Sequence, residues 1–176
     1  MKSILSAGLI FVTASVFAAE VPATFKVGEF TFKRPEKWTW VETAPNGMRK
    51  AQLKVEAGDS QSAEVIFFHF GASNGGGTKA NVDRWLGMFQ EKGEQLKSKV
   101  EEKTVQGHLI TYVEATGTYL SGVPGGPKTP LAGHSLLGAI VEGGEGSVFI
   151  RLTGPAGVAK AAQADFRKLA ESWSGQ

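Results

Sequence analysis

Residues 63–70 read Ala-Glu-Val-Ile-Phe-Phe-His-Phe. Taken as a strand, this segment puts Val65 and Phe67 on one side and Ile66, Phe68 and Phe70 on the other. Side chains alternate across a strand, so apolar residues on both sides mean that both faces are covered. The segment therefore calls for a sheet enclosed between two layers, a three-layer sandwich rather than a two-layer one.

The other segments supply the layers. Gly28–Lys33 alternates with Phe30 and Phe32 on one face, and residues 19–26 read as an exposed lead-in. Arg34-Pro35-Glu36-Lys37 is a turn, followed by a returning strand at Trp38–Glu42 and an Asn46-Gly47 turn signal. Arg49–Glu56 alternates through Ala51, Leu53 and Val55. After a glycine-rich stretch, Val82, Trp85 or Leu86, and Phe89 predict a helix over Asn81–Lys92, capped by Thr78 or Asn81 and ended by Gly93. Lys97–Val105 reads as a charged edge strand and His108–Tyr119 as a long strand. His134–Glu142 and Ser147–Thr153 form the last pair, around the turn Gly143–Gly146. A second helix starts near Pro155, with Val158, Ala162, Phe166, Leu169 and Trp173 along one stripe. Most strand links are short, so the sheet is mainly antiparallel. The expected fold is α+β, an α/β/α sandwich with a central sheet of about seven to eight strands and two helices.

Residues 1–18 read as a secretory signal. Lys2 supplies the positive start, Ile4–Val16 is apolar and uncharged, and Val16 and Ala18 stand at the −3 and −1 positions of a cleavage site after Ala18. The apolar run falls short of the roughly 20 residues of a spanning helix, and no later run is long or apolar enough to insert in a membrane. The remaining residues, 19–176, read as one domain, exported to the periplasm or secreted. With no Cys, that domain has neither disulfides nor thiolate chemistry. The net charge of +2 falls to +1 once Lys2 is removed. Such a balance gives no electrostatic reason to bind nucleic acid or anionic membranes.

Several short words in the chain are familiar: Met48-Arg49-Lys50-Ala51-Gln52, Glu64 with Phe68, Phe70 and Gly71, and Gly75-Gly76-Gly77. Others are Asn81 with Arg84-Trp85 and Phe89, Gly117-Thr118-Tyr119, Leu137-Gly138-Ala139-Ile140 and Leu152-Thr153-Gly154-Pro155. On these words and the order of elements, the chain resembles the PsbP-like fold. That fold occurs in the extrinsic protein of the oxygen-evolving photosystem and in a Ran-binding nuclear-import factor. More narrowly, the chain is similar to small exported bacterial proteins with no assigned activity. The resemblance implies the fold. The functional residues of the photosynthetic protein, which is tied to manganese and calcium, have no match here, so no site residue is carried over.

Candidate chemistry is sparse. Gly71–Lys79 precedes a helix, where free N–H groups and the helix dipole suit an anion. The stretch fits neither phosphate-binding glycine pattern, since Gly77 stands where the P-loop needs Lys. The plainer reading is a flexible connection. Asn74, Gly76, Asn81 and Arg84 are the candidate binding residues, Arg84 as a fork for carboxylate or phosphate. The plainer reading makes Asn81 a cap, Trp85 core and Arg84 a surface partner. His69, His108 and His134 form no H-x-x-H or H-x-x-x-H pair, so no metal site is assigned. No G-x-S-x-G marks a nucleophile. Among the acids available for hydrolysis (Glu64, Glu101, Glu102, Glu114 and Glu142), Glu64 and Glu114 have apolar neighbours. Pro124, Pro127 and Pro130 recur every third residue, a spacing that suits a polyproline II segment or a stiff hairpin loop.

The reading is an exported, non-enzymatic domain, with no catalytic residue and no cofactor, that binds a protein or envelope component. The alternative is a small-ligand or metal-binding periplasmic protein, with a hydrolase behind it.

Overall fold

The structure is a computed structural model and describes residues 21–58, 60–72, 74–123 and 125–174. The expected signal, 1–18, and its cleavage point lie outside the described residues, as does Pro124. In chain order the elements are β1 Thr24–Val27, β2 Phe30–Lys33, β3 Thr39–Val41, β4 Arg49–Glu56, β5 Ser62–His69 and helix α1 Thr78–Leu86. A 3₁₀ turn at Gly93–Gln95 leads to β6 Lys97–Val105, β7 His108–Ser121, β8 Thr129–Val141, β9 Val148–Pro155 and helix α2 Ala156–Glu171.

Seven strands form one sheet in the order β3-β4-β5-β9-β8-β7-β6, while β1 and β2 pair apart from it as a hairpin. Every pairing is antiparallel. The chain leaves β5 in mid-sheet, crosses by way of α1 to the far edge, and returns through β6, β7 and β8 to close β9 against β5. As expected, β5 is interior: Val65, Ile66 and Phe67 are all fully buried.

Two layers cover the sheet. One face carries Leu53, Val65, Phe67, Ile150, Leu152 and Tyr112, under α2 and the β1–β2 hairpin. Along α2 the buried stripe is Val158, Ala162, Phe166 and Leu169, with Trp173 just beyond the helix. Each large side chain removed from water in this way contributes about 1.5–3 kcal/mol. The hairpin adds Phe25 and Phe32, whose rings lie 4.9 and 5.2 Å from that of Phe67. The opposite face packs Val113, Leu136, Ile140 and Phe149 against Val82, Trp85, Phe89 and Leu96. The sandwich is α+β with a helix on each side, as expected.

Four expectations are corrected. Thr24–Val27 is a strand rather than a lead-in, because its Phe25 and Val27 are buried by pairing with Phe32 and Phe30. Helix α1 starts three residues earlier than Asn81 and ends at Leu86, with Gly87 rather than Gly93 at its C-terminus. Phe89 keeps the apolar spacing but reaches the core through a bridge to Tyr119. Neither Thr78 nor Asn81 caps α1; Gly77 stands at the N-cap with no side-chain bond. Finally, β8 begins at Thr129 rather than His134, so Pro130 belongs to a strand and not to a loop. No helix among the described residues is long and apolar enough to cross a membrane.

Candidate functional site

Beyond β5 the chain turns through Gly71–Gly77 into α1, and the β8–β9 turn rises beside it. The two loops pack main chain on main chain: a Cβ on Gly146, where φ is +109°, would lie 2.5 Å from the Gly71 carbonyl carbon. Only glycine fits so close an approach. Between the loops lies a cleft of about 410 Å³, lined by Gly71, Gly76, Gly143, Gly144, Ser147 and Phe149 among others. Its walls are mostly backbone. At the start of α1, Thr78 Oγ1 donates to Glu142 Oε1 at 2.8 Å. A carboxylate of the protein itself thus stands where the helix dipole favours an anion, and any incoming phosphate would face it.

The four candidate residues separate into two groups. Asn81 is 2% exposed, and its Nδ2 donates to the carbonyls of Gly75 at 2.9 Å and Gly77 at 3.0 Å. Its Oδ1 accepts from the exposed Arg84. Asn81 therefore holds the glycine loop to the helix, and Arg84 is tied to Asn81 rather than to an acid. Gly76 lines the cleft, whereas Asn74 is exposed and does not.

The histidines do not converge. His69 Nε2 lies 3.2 Å from the Glu145 carbonyl and His108 Nδ1 2.7 Å from that of Glu142, both at the β8–β9 turn. His134 Nδ1 lies 3.1 Å from the Ala132 carbonyl. It faces Pro155, while Val141 at the other end of β8 faces Val148. Seven residue-to-residue steps separate those ends, roughly 23 Å. Among the described residues, no three His, Asp or Glu side chains form a metal-holding group.

The acids are engaged as well. Glu64 Oε2 meets Arg49 Nη1 at 3.4 Å and Gln52 Nε2 at 3.5 Å. Glu101 and Glu114 both grip Arg167 of α2, Glu114 at 2.8 Å, and Gln163 adds a 2.6 Å bond to Glu114. The Arg167 guanidinium lies 4.5 Å from the centre of the Tyr112 ring, and Tyr112 donates to Glu171 at 2.9 Å. Burial first, then Glu171, holds the Tyr112 phenol far above its usual range. This network ties α2 to β6 and β7.

One residue escaped the reading of the sequence. Across the second face, cross-strand partners run Gln52, Ile66, Arg151, Gly138, Val113 and Val100. Trp85 of α1 packs on this row at Gly138. Arg151 stands half-buried between Gly138 and the fully buried Ile66. Its Nη1 reaches the Met88 sulfur at 3.4 Å, its guanidinium lies 5.7 Å from the Phe68 ring centre, and its Nε is buried without a hydrogen-bond partner among the described residues.

No family model matches this chain, and no curated protein matches it. By structure it is similar to the cyanobacterial PsbP (CyanoP) of Synechocystis sp. PCC 6803, known from its solution structure, with a TM-score of 0.54. The alignment covers 93% of this chain and 98% of the other at 10% identity. The fold is PsbP-like, and at that identity the likeness extends to the fold alone.

Proposed function

We propose that this chain is an exported, non-enzymatic domain that binds a protein or an envelope component. The observation that supports it is a projecting arm. Strand β6 stops opposite Thr116 and β9 stops opposite His134, yet β7 and β8 continue past both as a two-stranded ribbon. One edge of the ribbon is bonded to the chain after α1: Leu120 donates to the Met88 carbonyl and Gln90 to that of Thr118, each at 2.8 Å. Among the described residues, no strand pairs with the other edge, Thr129–Gly133. Leu120 faces Pro130 across the ribbon with its own N–H turned outward, so Pro130 removes the N–H that would point to the free edge. That substitution discourages indiscriminate strand addition while leaving side chains to make contacts. At the tip, Val123 is 68% exposed.

The non-enzymatic part of the reading is supported by the ties of the titratable groups: histidines to main-chain carbonyls, Glu101 and Glu114 to Arg167. Export is proposed from residues 1–18, to the periplasm or beyond. A photo-crosslinking residue at Val123, compared with one at exposed Ala161 of α2, tests the reading in cells that export the whole chain. We expect a discrete protein adduct, identified by mass spectrometry, at Val123 only. Equal labelling at both positions, or none at Val123, would overturn it.

A further inference from the structure

The chain has five arginines. Four meet oxygen acceptors: Arg34 on main-chain carbonyls, Arg49 on Gln52 and Glu64, Arg84 on Asn81, and Arg167 on Glu101 and Glu114. Arg151 meets none among the described residues. Its one hydrogen-bond partner is a thioether, a weak acceptor. A half-buried guanidinium with an orphaned Nε is unfavourable for folding, and such a group calls for an explanation.

The nearest acid on the same face does not supply it. Glu64 lies one cross-strand row away, opposite Thr153, and is bound to Arg49 and Gln52. Around Arg151 stand the partly exposed Phe68 and Met88, with Ile66 fully buried beneath, and Phe68 stacks on Phe70 with centres 6.2 Å apart. Arginine, methionine and aromatic side chains are those enriched at protein–protein interfaces. The surface is also continuous with the arm, because the Met88 sulfur that receives Arg151 lies 3.8 Å from the Tyr119 hydroxyl.

We infer that the partly exposed surface around Arg151 and Phe68 docks a partner protein through a carboxylate flanked by apolar side chains. The inference rests on the protein-binding reading above and gives it a second surface and a chemistry. Charge selects the occupant. Arg49 is already neutralised by Glu64, so among the described residues Arg151 is the unmatched cation of this patch, beside partly exposed Phe68 and Met88. That suits a singly charged carboxylate and leaves a phosphate dianion half compensated. A carboxylate would give the guanidinium the oxygen acceptor that the fold withholds.

The test uses the ¹⁵N-labelled protein and three probes: an acetylated peptide amide of alternating glutamate and leucine, its glutamine counterpart, and inorganic phosphate. The Arg151 Nε–H resonance is assigned by its loss in Arg151→Leu. We expect the glutamate peptide alone to move it, saturably. Arg151→Leu and Arg151→Met should each weaken that peptide about tenfold or more, the range for losing one side of a buried charge pair. Their thermal midpoints should hold or rise, since an unmatched charge is gone. No movement with the glutamate peptide would overturn the inference, as would equal movement with phosphate or undiminished binding by both variants. If the Val123 adduct persists in Arg151→Leu while the peptide has no effect on the native protein, this surface falls and the binding reading stands. If no adduct forms at Val123 while the peptide binds at Arg151, the arm reading falls instead.

Discussion

The six-membered ring of Trp85 sits on Gly138: a Cβ at that position would lie 2.5 Å from Trp85 Cε3. Trp85 is 4% exposed, so it has little room to retreat. Gly138→Ala should therefore destabilise the fold by about 1–3 kcal/mol, the range for overpacking a filled core. Trp85→Leu in the same chain should recover part of that loss, since the two residues are in contact and their effects should not add. Denaturant unfolding of the two single variants and the double variant measures the coupling. A coupling of zero would mean that α1 seats elsewhere on the sheet.

Much of this architecture was legible because its signals are local. The alternation of Arg49–Glu56 and the charges of Lys97–Val105 gave β4 and β6 to the residue. The two apolar sides of Ala63–Phe70 gave the number of layers. What escaped depends on partners distant in the chain. Thr24–Val27 is four residues long and is a strand only because Phe30–Lys33 folds back on it. Glu101 and Glu114 look like solvated and strand acids, and they become one clamp when β6 pairs with β7 and α2 lowers Arg167 between them. Arg151 reads as an ordinary residue of Ile-Arg-Leu. Its missing acceptor appears only once the register sets Ile66 and Gly138 beside it. Asn81 lies at a spacing that suggests a cap, but its amide turns back to the loop carbonyls.

Phe166 anchors α2, at 2% exposure within the larger core cluster. Phe166→Ala should cost about 3–5 kcal/mol, through lost transfer energy and the cavity left behind. Denaturant unfolding with an unchanged m-value would show that stability alone changed. A loss below about 1 kcal/mol would mean that α2 presents another face to the sheet.

Asn81 joins the glycine loop to α1. Asn81→Ala removes both donors to the carbonyls of Gly75 and Gly77 and the acceptor of Arg84. The expected loss is about 1–3 kcal/mol, because partly buried carbonyls are left unmet. Amide exchange should separate this role from a global one. The amides of Gly75–Lys79 should exchange much faster in the variant, while those of β9 should change only as far as total stability falls. Uniform acceleration would show that Asn81 supports the core rather than the loop.

The Arg167 clamp predicts how stability depends on pH. Bonds from Lys99 and then Arg167 hold the Glu101 carboxyl below its usual range. Burial pulls Glu171 upward, but its bonds to Lys103 and Tyr112 outweigh that, and its net shift is also downward. Glu91 is held low chiefly by the Thr118 N–H. A carboxyl with a depressed folded pKa adds stability above its unfolded value, and that stability is lost as pH falls through the folded value. The urea midpoint should therefore change little from about pH 7 to pH 5.5 and fall below about pH 4.5, near the unfolded carboxylate range. Arg167→Met tests the origin of the effect. It leaves Glu101 and Glu114 as like charges on neighbouring strands without their shared cation. Its penalty should be largest near neutral pH, where the Glu101 carboxylate loses its cation, and should shrink in acid as Glu101 takes up a proton. A penalty independent of pH would assign Arg167 a packing role against Tyr112, over whose ring it lies, rather than an electrostatic one.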